Sequence, residues 1–251
     1  MSLFVAFRRE WMELIRSYRL LIVAIVLLFF GITSPVLAKF TPELMTLIPT
    51  GGITIQMPAP TVMDAIGQYI KNMAQFGIIL ALLLTMGAIA QEKDKGTAAM
   101  MLVKPLPRGA FLTAKFLGLS AMFAVALAMA GIAAYYYTLL LFEALNILHW
   151  LVLNALIFVY VLVFVAITLF CSTLTKSQVA AGGVALVLMI IIGLIGSIPG
   201  LGKYLPGELI TWGTRLMTGD TTTSWTAFGV SLGLIVVPLL AAWLIFKGQE
   251  L

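Results

Sequence analysis

Six long apolar runs separated by short polar connections dominate the hydrophobic pattern of this chain. They cover residues 20–38, 73–90, 116–142, 151–174, 179–198 and 225–246. Each reaches the roughly 17 to 25 apolar residues with which a helix crosses a bilayer, and none contains a charged side chain. Such continuous runs favour helices over the short alternating strands of a membrane barrel. The pattern therefore predicts an all-α integral membrane protein, a single domain over residues 1–251 with six transmembrane helices.

Residues 1–19, which precede the first run, show a helical rather than a continuous apolar pattern. Apolar residues recur at spacings of three and four, and charged residues occupy the opposite arc. The apolar set is Leu3, Phe4, Phe7, Trp11, Leu14, Ile15 and Tyr18, and the charged set is Arg8, Arg9, Glu10, Glu13 and Arg16. The pattern predicts an amphipathic helix over 3–18 that lies in the headgroup plane. It serves either as a simple anchor or as a brace for a partner.

Two of the longer connections differ in character. Residues 39–61 are rich in Pro and Gly and predict a loop, after which the second helix is expected to begin near Val62, ahead of its apolar run. Residues 199–225 are apolar but interrupted by Gly and Pro, so they cannot span. They form either a re-entrant or interfacial hairpin or an ordinary surface loop.

Small residues recur on the faces of two predicted spans. Ala126, Ala130 and Ala134 lie four apart in the third, and Gly193 and Gly196 share a face of the fifth. Small residues let membrane helices approach closely, which predicts tight packing either within one subunit or between two.

The distribution of charge orients the spans. The chain is 62% hydrophobic and only 10% charged, and eleven of its fifteen Lys and Arg residues flank one side of the predicted bundle. Because cytoplasmic connections carry the excess of Lys and Arg, both termini and residues 91–115 are expected in the cytoplasm. This topology accounts for the net charge of +5 without a nucleic-acid partner.

Several kinds of chemistry have no candidate residues in this sequence. It lacks the G-x-x-x-x-G-K-[ST] phosphate loop, and its one histidine, His149, lies at the outer end of the fourth run. The apolar runs also lack the carboxylates or bases with which ion-coupled carriers bind their ion. The sequence therefore predicts no catalytic site and no metal site, and it disfavours a self-energised carrier or channel. Energy for any transport is expected to come from a partner.

The largest cytoplasmic connection, 91–115, carries five of the fifteen cations. Glu92–Lys95 is predicted to continue the second helix, with Glu92 and Lys95 one turn apart. Thr97 is then suited to cap a short helix over 98–103. Glycine and proline bound that helix on its two sides, at Gly96, Pro105 and Pro107. A short helix between two such breaks is suited to being gripped by a partner.

These residues resemble the first cytoplasmic loop of the type-two ABC exporter permeases. The spaced pattern is Glu92, Gly96-Thr97, Pro105-Leu106, Arg108 and Lys115. The six-span plan, the amphipathic N-terminal helix and the broken segment before the last span are similar as well. Within the family the chain looks most like single-domain permeases encoded apart from their ATPase, including the type associated with maturation of nitrous oxide reductase.

The resemblance implies a prokaryotic cytoplasmic-membrane permease, in a homodimer or a pseudo-symmetric heterodimer, that works with two ATPase subunits holding ATP and Mg. It also implies that the connection acts as a coupling helix seated in a groove of the ATPase. The residues expected to couple are Glu92, Gly96, Thr97, Met100, Met101, Pro105, Pro107 and Arg108. The function expected is export driven by that ATPase, with a substrate path between two permease subunits. The alternative is a non-transporting membrane scaffold that recruits a cytoplasmic partner.

Overall fold

The computed structural model describes residues 3–46, 58–94 and 108–248. The helices are α1 (Leu3–Arg16), α2 (Arg19–Thr46), α3 (Val62–Thr85), α4 (Ala90–Asp94), α5 (Arg108–Leu141), α6 (Ile147–Leu174), α7 (Gln178–Gly196), α8 (Gly207–Met217) and α9 (Trp225–Gly248). A 3₁₀ turn, Gly202–Tyr204, precedes α8. Among the described residues there is no strand, and six helices are long and apolar enough to cross a membrane. The predicted all-α, six-span class is confirmed.

Several helices extend beyond the apolar runs that predict them. α2 continues past residue 38 to Thr46 and contains Pro35 and Pro42, and the hydroxyl of Thr41 donates to the Leu37 carbonyl of the preceding turn. α5 begins at Arg108 rather than at residue 116, and it is 34 residues long. Its first two turns are helical because they bury Phe111 against Phe246, with ring centroids 5.7 Å apart.

The N-terminal helix is shorter than predicted. α1 ends at Arg16 because Tyr18 adopts the left-handed region with φ of 58°, which turns the chain into α2. Phe4 and Ile15 on its apolar side are exposed, as expected of a face that lies against lipid. A different stripe, Ala6, Glu10 and Leu14, packs against α5.

The core lies around α3, α5 and α6, each with half or more of its apolar window buried. Ala126, Ala130 and Ala134 are fully buried, and Ala130 faces Gly31 of α2. A Cβ at Gly31 would lie 2.6 Å from the Ala130 carbonyl oxygen, so only glycine allows this approach. The alanine stripe therefore serves packing within the subunit. By contrast, α7 and α9 lie at the periphery, with 22% and 17% of their windows buried.

The connection over 199–225 is an organised structure rather than an ordinary loop. Its helix α8 buries Leu209, Trp212 and Gly213 against α6, and a Cβ at Gly213 would lie 2.5 Å from a methyl carbon of Leu153. At the far end of α8, Arg215 donates to Glu208 at 2.5 Å and to Ser224 at 2.7 Å, which ties the helix to the start of α9. The segment is thus a rigid helical hairpin packed on the bundle.

Candidate functional site

The coupling residues predicted from the sequence fall only partly within the described structure. Glu92 lies in α4, and Arg108 is the first residue of α5. The remaining residues of that set, Gly96, Thr97, Met100, Met101, Pro105 and Pro107, lie outside the described residues. The coupling helix over 98–103 therefore stays a prediction, and the site is built from the two elements that flank it.

A buried cation joins these two flanking elements. The Lys115 ammonium lies 2.7 Å from Oε1 of Glu92 and 3.0 Å from Oε2 of Glu10. Lys115 keeps 4% of its side-chain area exposed, and each glutamate keeps 12%. We call these three residues the ionic junction, and the end of the bundle at which they lie the α4 end. The junction connects α1, α4 and α5 through a single ammonium group.

Burial explains why Lys115 takes two partners. The residue lies about two turns inside α5. An ammonium buried there without counter-charges would lose its hydration and gain no ion pair to offset that cost. Glu92 was predicted to lie one turn from Lys95, which lies outside the described residues; within them, Glu92 contacts Lys115, across the connection. A buried pair of this kind holds its geometry better than an exposed pair, since exposed pairs contribute little.

Glu10 is the functional residue that the sequence pattern misplaced. Its position on the charged arc of α1 predicted contact with headgroups or water, yet it points into the bundle beside Gly118 of α5. A Cβ at Gly118 would lie 3.3 Å from the Cβ of Glu10, so the small residue leaves room for the glutamate. The signal was present in the spacing of Ala6, Glu10 and Leu14, a stripe four residues apart that faces one neighbour.

The second span is broken just before α4. The predicted second span is present, within Val62–Asp94, but its helix is interrupted: α3 ends at Thr85 and residues 86–89 form a turn. Ser172 of α6 makes this break possible. Its hydroxyl accepts from the amides of Ile89 and Ala90, both at 3.0 Å, and donates to the Met86 carbonyl at 2.9 Å. One side chain thus replaces hydrogen bonds that a continuous helix would make within itself.

Two further contacts fasten α4 to the bundle. Lys93 donates to the carbonyl of Thr173 at the end of α6, and its ammonium lies 5.6 Å from the ring centroid of Phe246. The side-chain amide of Gln91 donates to that of Gln178 at the start of α7. Each of the three consecutive residues Gln91, Glu92 and Lys93 therefore contacts a different neighbouring helix through its side chain.

Comparison with known proteins shows the family of this chain. A model of the ABC-2 family transporter proteins matches residues 5–251, nearly the whole chain. The chain belongs to the ABC-2 transporter family. It is also similar to the uncharacterized transmembrane protein YxlG of Bacillus subtilis, with 22% identity over 244 residues that cover 96% of this chain and 94% of that protein. ABC-2 family membrane proteins are transport components that generally partner with ABC ATPases.

In this ABC-2 permease the first and last residues of the pattern that carried the resemblance lie in contact. Glu92 and Lys115 are the first and last members of the pattern, and they form the shorter ion pair of the junction. The connection between them, 22 residues long, therefore has its two ends in direct contact. Glu10 adds a third element to that closure, and it comes from outside the pattern.

The acidic groups of this permease also meet the geometric condition for holding a cation. Carboxylate oxygens of Glu10, Glu13 and Glu92 lie within 4.8 Å of one another, beside a cavity of about 290 Å³. However, the Lys115 ammonium already provides positive charge between Glu10 and Glu92. The arrangement is therefore an internal ion cluster whose cation belongs to the chain.

Proposed function

We propose that this chain is the membrane subunit of an ATP-driven exporter, in which two copies work with two ABC ATPase subunits in a prokaryotic cytoplasmic membrane. ATP and Mg are bound by the partner. Both termini and the connection between α4 and α5 face the cytoplasm, as the Lys and Arg distribution favours. The connection couples the ATPase to the spans through Glu92, Gly96, Thr97, Met100, Met101, Pro105, Pro107 and Arg108.

The observation that carries this proposal is the closure of the connection by the Glu92–Lys115 pair at 2.7 Å. A force applied to residues between these two would reach α4 on one side and α5 on the other. The hydrogen bonds of Ser172 would transmit this force from α4 to α6, and the contact of Glu10 with Lys115 would transmit it from α5 to α1. A flexible loop would absorb such a displacement, whereas a loop with fastened ends transmits it to the spans.

The coupling role is tested by co-expressing the tagged chain with its ABC ATPase and measuring ATPase recovery and ATP hydrolysis in the purified complex. Deletion of residues 96–103 is expected to abolish ATPase recovery. Glu92→Gln is expected to keep the ATPase bound but to reduce the response of hydrolysis to candidate substrates by about fivefold or more, the range of a typical coupling free energy.

The matched control for Glu92→Gln is Asp94→Asn, which removes an exposed carboxylate from the same short helix. It is expected to behave as wild type. Full ATPase recovery after the deletion would contradict the coupling role. An ATPase that binds normally while no substrate in the panel alters its hydrolysis would favour the scaffold alternative over export.

A further inference from the structure

A cavity of about 640 Å³ lies in the half of the bundle opposite the α4 end. It is bounded by α3, α6 and the last two turns of α7, and the hairpin that contains the 3₁₀ turn and α8 forms its roof. This volume falls within the roughly 300–1,000 Å³ that small-molecule sites occupy in proteins. The cavity is separate from the ionic junction, and neither the coupling residues nor the closure of the connection uses it.

The lining changes from apolar to polar between the depth of the cavity and its roof. The deep part is formed by Ile78 of α3, Phe164 of α6, and Met189 and Ile192 of α7. The roof contributes Lys203, together with Glu208 in the first turn of α8. An occupant that matches both parts has a flexible apolar portion and a polar end.

The charge at the roof is positive on balance. Glu208 is neutralised by Arg215 at 2.5 Å, and its Oε1 also accepts from the hydroxyl of Ser224 at 3.0 Å. Lys203 takes part in no ion pair within the described ranges, and its ammonium lies 5.0 Å from the ring centroid of Tyr204. The polar end of the occupant is therefore expected to carry negative charge.

The roof of the cavity is held by packing and by an ion pair, and one of its walls belongs to a helix with an apolar surface. α8 is fixed by the packing of Gly213 on Leu153 and by the Arg215–Glu208 pair. α7, which forms one wall, exposes Ile190 and Leu194 on its surface. One wall of the cavity therefore belongs to a helix with an exposed apolar surface, beneath a polar roof.

We propose that this cavity binds one acyl chain of an anionic phospholipid, with the lipid phosphate at Lys203 and the chain among Phe164, Met189 and Ile192. A helix of a second subunit fits the space less well. A helix is about 10 Å across, so a volume of this size would admit only about 8 Å of its length. The proposal concerns binding alone and does not depend on ATP-driven export.

The binding test uses native mass spectrometry of the delipidated full-length chain in detergent. The probes are phosphatidylglycerol and phosphatidylcholine with identical acyl chains, added separately. Wild type is expected to bind phosphatidylglycerol about fivefold more tightly, the contribution of one cation near an anionic lipid. Lys203→Gln removes that preference, whereas Lys71→Gln, which changes an exposed lysine outside the cavity, retains it.

A second variant fills the cavity without disturbing the fold. Gly193 lines the cavity, and a Cβ added there meets no atom within 4 Å, so Gly193→Leu projects into open space. Gly183→Leu is the matched control, because it lies on the same helix, has the same free surroundings and does not line the cavity. We expect Gly193→Leu to weaken phosphatidylglycerol binding by about tenfold or more, and Gly183→Leu to leave it unchanged.

Three results would overturn the proposal. The first is equal affinity of wild type for the two lipids, and the second is equal affinity of the two leucine variants for phosphatidylglycerol. The third is a shift of Gly193→Leu from dimer to monomer in the same spectra with lipid affinity intact, which would make the cavity a contact between subunits. Since Lys203→Gln changes only an exposed side chain, the lipid preference can be read even if a leucine variant fails to fold.

Discussion

The two halves of this bundle are held together by different kinds of polar contact. At the α4 end, buried charges join α1, α4 and α5 through Lys115. In the core of the opposite half the links are neutral: the Tyr69 hydroxyl donates to Asn154 Oδ1 at 2.5 Å, and Asn154 Nδ2 donates to the Trp150 carbonyl at 2.9 Å. The Trp150 indole in turn donates to the Gly131 carbonyl at 3.1 Å. Both halves thus tie separate helices together, but among the described residues only the α4 end joins three helices through one buried cation, since the Arg215–Glu208 pair of the opposite half lies within α8.

The difference indicates that the ionic junction serves geometry more than stability. Neutral hydrogen bonds between membrane helices contribute modestly and tolerate loss. A buried ion pair roughly offsets its own desolvation, yet removal of one partner is severe because a charge is left behind. An ionic contact therefore makes α1, α4 and α5 depend on one another strongly. That dependence is what a site of force transmission requires.

The largest effect is expected from Lys115→Met, which leaves the Glu10 and Glu92 carboxylates facing each other without the ammonium. Loss of one partner of a buried ion cluster costs about 3–5 kcal/mol in free energy of unfolding. Chemical denaturation in detergent micelles measures this value. The triple variant that adds Glu10→Gln and Glu92→Gln removes the stranded charge, and it should recover most of the loss. A triple variant as unstable as Lys115→Met would show that the charges are not the cause.

An intermediate effect is expected from Ser172→Ala, which removes the hydroxyl that supports the break between α3 and α4. The amides of Ile89 and Ala90 then lose their acceptor inside the protein, at a cost of about 1–3 kcal/mol. Thr168→Val on the same helix is the control, since the Thr168 hydroxyl bonds only to the Phe164 carbonyl of its own helix. Equal unfolding free energies for the two variants would contradict the supporting role of Ser172.

The smallest effect is expected from Tyr69→Phe, in the neutral core of the opposite half. Interhelical hydrogen bonds in membranes average about 0.6 kcal/mol, so the unfolding free energy should fall by about that amount. ATPase recovery and hydrolysis in the complex should not change. The exposed Tyr136 provides the control Tyr136→Phe. A loss as large as that of Lys115→Met would erase the distinction between the two halves.

The apolar pattern predicts the span count well, because a bilayer demands continuous apolar length and the six runs supply it without charge. The packing of Ala126, Ala130 and Ala134 is likewise visible as a small-residue stripe. The break at 86–89 was not predicted, because residues 73–90 contain no charge and no proline and the hydroxyl that supports the break comes from Ser172, far along the chain. The residues around the break do not predict a hydrogen-bond acceptor that lies so far away in the sequence.

The candidate site was predicted only in part, again because its contacts join residues that are far apart in the sequence. Glu92 was singled out by its place in the connection, but its pairing with Lys115 requires the start of α5 to be helical and buried. Glu10 was assigned to the polar arc because a charge on an amphipathic helix ordinarily faces water. Glu10 faces inward because a buried cation lies on another helix. The helical pattern of α1 alone gives no information about that cation.

The most direct test of the account is a double-mutant cycle between Glu10→Gln and Glu92→Gln, read as free energy of unfolding. Either single change leaves Lys115 with one carboxylate, whereas the double change leaves a buried ammonium with neither. The account predicts a double loss that exceeds the sum of the single losses by about 1.5 kcal/mol or more. The same cycle between Glu10→Gln and Asp94→Asn should be additive to within about 0.5 kcal/mol. Additive losses for Glu10 and Glu92 would contradict the claim that one cation joins α1 to the connection.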